Sequence, residues 1–215
     1  MSSLELLTWA RGPALQAALV IFIIGMLIRV LEILLLGRKT DLTRARAGQM
    51  GPGLRTIFSR SLPVSGTWKQ HLSGYLWHIG FIVVLLFYAP HIQLFKQGFN
   101  IAWPALPTSL IDIITIVTMA ALVFSLSLRF TDPVRRMLST VGDYFSWLVT
   151  FLPVATGYMA FHNVGPDYTL VLALHIMSVN LLLVVFPFTK LSHAITFLFS
   201  RWYNGANAGR KGVRV

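Results

Sequence analysis

The stretch YTLVLALHIMSVNLLLVVFPFTKLSHAITFLF, residues 168–199, carries one formal charge, Lys190, and two histidines, His175 and His193. A helix needs about 20 apolar residues to cross a hydrocarbon core of about 30 Å, so this run is long enough to span a membrane. Four more runs qualify, at 14–36, 73–95, 108–130 and 141–161. The expectation is an all-α membrane protein of five transmembrane helices, forming a single domain over residues 1–215. The opening Met-Ser-Ser-Leu-Glu lacks a basic n-region, and the run 14–36 exceeds a signal core. A retained membrane anchor is therefore expected.

Composition agrees. The 215 residues are 55% hydrophobic and only 12% charged, against about 25% charged in a soluble domain. The net charge of +11 would raise nucleic acid in a soluble protein, but here the basic residues fall between apolar runs. They fit a membrane surface, and no nucleic-acid partner is expected. Cysteine is absent. Disulfides, iron–sulfur clusters, covalently attached haem and thiolate zinc sites are thereby excluded.

Orientation follows from the bias of lysine and arginine between loops. Arg38, Lys39, Arg44, Arg46, Arg55, Arg60 and Lys69 lie in the first loop. Arg129, Arg135 and Arg136 lie in the third, and Arg201, Arg210, Lys211 and Arg214 in the C-terminal tail. Only Arg11 and Lys96 fall on the other side. With five spans this places the N-terminus outside, in the periplasm, and the C-terminus in the cytoplasm. Residues 54–60 of the first loop form a potential amphipathic helix, suited to anionic lipid or to a cytoplasmic partner.

Six histidines are present: His71, His78, His91, His162, His175 and His193. Polar residues within spans are costly and mark function. His78 and His193 match in depth near the cytoplasmic side, and His91 and His175 near the outer side. If residues 168–199 form one helix, His175 and His193 are five whole turns, about 27 Å, apart on one face. That separation suits two haems stacked through a bilayer. His78 and His91 fall well off a common face unless the helix kinks near Pro90. Gly74 and Gly80 offer room for a macrocycle. Each ligand must be a neutral imidazole whose second nitrogen has an acceptor. His71 reads as a surface residue. His162 could replace His91 as the fourth ligand or line a quinone pocket.

The segment from Leu174-His175 through Val185-Phe186-Pro187-Phe188-Thr189-Lys190-Leu191-Ser192-His193 resembles the last helix of the gamma subunit of respiratory nitrate reductase. In that dihaem cytochrome b, two histidines at the same spacing bracket a Phe-Pro-Phe-Ser-Arg-Leu stretch. Leu76-Trp77-His78-Ile79-Gly80 resembles its helix-two ligand motif. Phe22-Ile23-Ile24-Gly25 with Arg29 resembles its first helix, and Pro133-Val134-Arg135 followed by Asp143 its fourth. The resemblance runs nearly end to end and extends to the membrane subunits of heterodisulfide-reductase-like and sulfite-reductase-associated complexes. It implies that His78 and His193 ligate an inner b haem and His175 an outer one. The family's second helix-two histidine corresponds to Tyr88, so the fourth ligand is assigned to His91.

The resemblance further implies an electron-transfer subunit of a quinol-linked oxidoreductase. Its site would hold two haem b and exchange electrons with a diffusible quinone near Tyr88, Lys96 and His162. Lys190 and Arg29 are candidate partners for haem propionates. A cytoplasmic iron–sulfur or catalytic subunit would dock on the basic inner face, giving a hetero-oligomeric complex in a bacterial or archaeal cytoplasmic membrane. A cytochrome b of a membrane hydrogenase or formate dehydrogenase is the alternative. A proton-coupled transporter is a weaker one, because the carboxylates Glu32, Asp112 and Asp143 fall near helix ends. A histidine-box metal centre needs clustered histidines, which this spacing lacks.

Overall fold

The computed structural model describes residues 1–35, 50–59 and 67–211. Over these residues the chain is helical, without strands. The elements are α1 (Ser3–Trp9), α2 (Leu15–Leu35), α3 (Met50–Ser59), α4 (Trp68–Phe87), α5 (Ala89–Phe99), α6 (Thr108–Thr131), α7 (Pro133–Leu138), α8 (Val141–Phe161), α9 (Tyr168–Val185) and α10 (His193–Arg210). Five stretches are long and apolar enough to cross a membrane: Ser3–Leu35, Trp68–Phe87, Thr108–Thr131, Val141–Phe161 and Tyr168–Phe188. On α2, Val20, Ile23, Ile24, Leu27, Leu31 and Leu34 are each more than half exposed. An apolar surface of that extent belongs against lipid. Leu36, which ends the first expected span, and the loop and tail cations Arg38, Lys39, Arg44, Arg46, Arg60 and Arg214 lie outside the described residues.

Three interruptions distinguish the observed helices from the expected runs. The first span starts at Ser3, where Ser2 and Glu5 form a capping box, and it widens into a π turn at Ala10–Ala14 around Pro13. Proline carries no N–H and cannot complete the regular ladder. The Ala10 carbonyl receives the Asn180 Nδ2–H at 2.9 Å.

The second interruption divides the expected helix 73–95. α4 stops at Phe87, Tyr88 is extended (φ −78°, ψ 127°), and α5 begins with Pro90 in its first turn. The last carbonyls of a helix have no intrahelical donor. Here the carbonyls of Val84, Leu86 and Phe87 accept from the His91 ring at 3.0 Å, the Trp103 indole at 2.6 Å and the Leu106 amide at 3.1 Å.

The third interruption corrects the single helix expected over 168–199. α9 ends at Val185, and two 3₁₀ turns, Phe186–Phe188 and Lys190–Ser192, flank an extended Thr189. Pro187 cannot continue the helix, and the Thr189 hydroxyl accepts from the Leu191 amide. His175 and His193 therefore sit on different helices, and counting five unbroken turns between them does not apply.

The chain forms two compact units, one from Met1–Ala18 with Pro63–Leu182 and one from Leu19–Leu62 with Leu183–Val215. In the first, α4 packs on α6. Gly80 lies so close to Thr118 that a β-carbon there would overlap the Thr118 hydroxyl, so the space once assigned to a macrocycle at Gly80 is filled by α6. The Trp147 indole donates to the Leu122 carbonyl at 2.8 Å and ties α8 to α6. Asp132 caps α7, and its carboxyl is held below the usual aspartate range, chiefly by the Arg135 amide. Thr140 and Asp143 form the capping box of α8.

In the second unit α3 packs on α10. The helix expected at 54–60 begins earlier, at Met50, and Gly53 fits against Trp202. Gly25 of α2 faces Pro187, where a β-carbon would come within 2.6 Å of the ring. Phe22 meets Phe186 edge-on at 5.3 Å. The Arg29 Nε–H donates to the Pro187 carbonyl at 2.8 Å, and Nη1 pairs with Glu32 at 2.9 Å.

Gly80→Ala is expected to destabilise the protein by about 1–3 kcal/mol through overpacking. An added methyl at Gly74 meets nothing within 4 Å, and Gly74→Ala is expected to be neutral or to stabilise by up to about 1 kcal/mol through helix propensity. Thermal unfolding of both variants in one detergent checks the difference in sign.

Candidate functional site

Within the first unit, the break at Tyr88 sets His91 in the first turn of α5, and α9 carries His175. Their ring centroids are 6.3 Å apart and their planes differ by 17°. The His91 Nδ1–H donates to the Val84 carbonyl at 3.0 Å. A carbonyl can only accept, so this bond fixes Nδ1 as the protonated nitrogen and leaves Nε2 with a free lone pair.

His175 lies against α8. Its Nδ1 is 3.3 Å from Thr156 Oγ1, with the Pro153 carbonyl also near the ring. The Thr156 hydroxyl donates to the Leu152 carbonyl at 2.7 Å, and the Ser178 hydroxyl donates to the His175 carbonyl at 2.6 Å. Both hydroxyl protons are thus committed, and Thr156 Oγ1 meets the ring as an acceptor. Gly157 allows this approach, since a β-carbon there would lie 3.0 Å from His175 Cε1.

Two near-parallel imidazoles would be a suitable donor set for one six-coordinate iron in a macrocycle. Two Fe–N bonds of about 2 Å and about 1.1 Å from each nitrogen to its ring centre sum to about 6 Å. The observed separation fits that requirement. Among the described residues no three of His, Cys, Asp and Glu come together, so a metal held by protein side chains alone lacks a ligand set there.

The remaining expected residues fall in several places. Tyr88 meets the His91 ring edge-on at 5.2 Å and Phe161 at 6.0 Å. His162, the C-cap of α8, directs Nε2 to Asp112 Oδ1 at 2.8 Å and packs on Tyr158 at 4.3 Å. That nitrogen is engaged by a carboxylate, which leaves Nδ1 as the other ring nitrogen. Lys96 stands apart, exposed on the last turn of α5. His71 donates Nδ1–H to the Thr67 carbonyl at 2.9 Å.

His78 belongs to the first unit. Its Nδ1–H donates to the Gly74 carbonyl at 2.7 Å, and its ring stacks on Trp77 at 3.5 Å. His193 belongs to the second unit, opens α10, and donates Nδ1–H to the Lys190 carbonyl at 2.7 Å. The Lys190 side chain is exposed. Arg29, expected beside a propionate, commits Nε and Nη1 to Pro187 and Glu32.

No protein-family model matches the chain. Over 200 residues it is 35% identical to a protein of Nitratidesulfovibrio vulgaris (strain Hildenborough) described only as "Protein", and the match covers 88% of each chain. The chain belongs to that protein's family. No solved structure matches it. This kinship spans most of the family member's length but names no activity, so chemistry has to be argued from the side chains.

Sequence reasoning missed Thr156, Gly157 and the partnership of Asp112 with His162. The stop of α4 before Tyr88 frees the Val84 carbonyl, and Pro90 was the available sequence signal for that stop. Asp112 and His162 are each partly exposed, at 26% and 35% of the side chain. Their coupling is therefore expected to be modest, about 0.5–1 kcal/mol, in a double-mutant cycle of Asp112→Ala and His162→Ala read by thermal unfolding.

Proposed function

We propose that this chain is a dihaem cytochrome b that exchanges electrons between a membrane quinone and a cytoplasmic iron–sulfur or catalytic partner. The observation that carries the reading is the His91–His175 pair, with centroids 6.3 Å apart and planes 17° apart. When bound, haem b supplies one-electron redox chemistry, with both axial positions filled by imidazole. His91 and His175 hold one haem, their Nδ1 edges tied to Val84 and Thr156. His78 and His193 are the proposed ligands of the other. Their support is their matched depth in the sequence and the backbone carbonyl that each Nδ1–H meets.

The resemblance to the nitrate reductase gamma subunit supports His78, His175 and His193; its fourth histidine corresponds to Tyr88, and His91 takes that role on its nearness to His175. The bias of Lys and Arg toward the first and third loops and the tail supports an N-terminus outside and a C-terminus in the cytoplasm of a bacterial or archaeal cell. On the inner side α3 and α10 carry Arg55, Arg201 and Arg210 and no acidic residue, which suits an acidic partner surface. Tyr88 and His162 both touch Phe161 and are the better quinone-site candidates; Lys96 is the third.

One observation favours a proton-relay reading instead: the His162–Asp112 pair at 2.8 Å joins an imidazole to a carboxylate. Haem content separates the two readings. The purified protein is expected to give a reduced-minus-oxidised b-type spectrum with about two haems per chain. His91→Ala and His175→Ala should each leave about one haem, and His162→Ala should leave the wild-type number. A folded, colourless preparation rejects the cytochrome reading.

A further inference from the structure

The two rings of the His91–His175 pair are held by different acceptors. His91 gives its Nδ1–H to a backbone carbonyl, Val84, at 3.0 Å. His175 has its Nδ1 at 3.3 Å from a hydroxyl oxygen, which is a weaker acceptor than a peptide carbonyl. The protons around Thr156 leave its oxygen little choice. Its hydrogen goes to the Leu152 carbonyl at 2.7 Å. The nearby Ser178 oxygen, at 3.1 Å, has its own hydrogen on the His175 carbonyl at 2.6 Å. Neither hydroxyl can donate to the imidazole without abandoning a shorter bond.

We infer that Thr156 is a positioning residue that fixes the tautomer and orientation of His175 and tunes the electron donation of that ring to a bound iron. The inference rests on the cytochrome reading and deepens it. An acceptor on the far nitrogen makes a ligating imidazole more basic and stabilises the higher oxidation state of the metal. Thr156 is also placed by the backbone. It lies three residues after Pro153 in α8, and the adjacent Gly157 lets the imidazole lie against the helix.

The test is a redox titration of the full chain in detergent, following the b-type absorbance of wild type, Thr156→Val and Thr156→Ser. Valine keeps the shape and removes the acceptor. The expected result is a shift of one haem's midpoint potential to more positive values in Thr156→Val, the other haem unmoved, and a return toward wild type in Thr156→Ser. Loss of one haem from Thr156→Val, with retention in Thr156→Ser, equally supports a hydroxyl that holds the ring. Unchanged potentials, or a shift to more negative values, assign the ring to the Pro153 carbonyl and overturn the inference. Loss of haem from both variants overturns it as well, because the hydroxyl is then not what matters. A wild-type protein without haem rejects the cytochrome reading itself, an outcome separate from any difference among the variants.

Discussion

In hydrocarbon, a peptide carbonyl without a donor costs several kcal/mol, because no water is present to satisfy it. A membrane helix that breaks must therefore find donors for the acceptors it releases. This chain breaks or widens three times within apolar segments, at Pro13, Tyr88 and Pro187, and supplies a side chain at each place. Asn180 serves the Ala10 carbonyl, His91 and Trp103 serve Val84 and Leu86, and Arg29 serves Pro187. The interruptions are held by groups outside the broken helix, from seven residues away at His91 to more than 150 at Asn180 and Arg29. They are thus fixed features of the fold.

That constraint also orients the imidazoles. A histidine whose Nδ1–H is bound to a backbone carbonyl has one tautomer and a restricted ring rotation, and its Nε2 is the nitrogen available to a metal. His78 and His193 reach Gly74 and Lys190, four and three residues back, which is local helix geometry. His91 reaches Val84 across a break, and His175 depends on a hydroxyl from another helix. The His91–His175 pair is therefore assembled by tertiary structure, whereas His78 and His193 are each oriented by their own turn of chain.

This difference explains what the sequence made legible. Five apolar segments and their scarcity of charge follow from composition, and the fourth segment agrees with the observed α8 at both ends. The nearness of the His91 and His175 rings is compatible with their matched depth in the sequence, because depth survives a change in helix phase. Phase arithmetic failed for residues 168–199 because it presumes an unbroken helix. Pro187 stood in plain view, but a proline predicts where a helix is disturbed and not whether it bends or stops. Arg29 was read as a ligand contact because its partner, the Pro187 carbonyl, exists only once that stop is known. Thr156 was illegible for a deeper reason. Its role depends on where two hydroxyl protons go, which is decided by neighbours on α8 and α9.

The contact between His91 and Val84 itself measures the break. Seven residues of uninterrupted helix rise about 10 Å, nearly two turns, and an imidazole on the second turn cannot touch a carbonyl that far back along the axis. The observed 3.0 Å requires the chain to leave the helical path between them, as it does at Tyr88. The same departure removes the objection that His78 and His91 are badly phased, since a phase relation holds only within one helix. Tyr88, at the turn itself, meets the His91 ring edge-on.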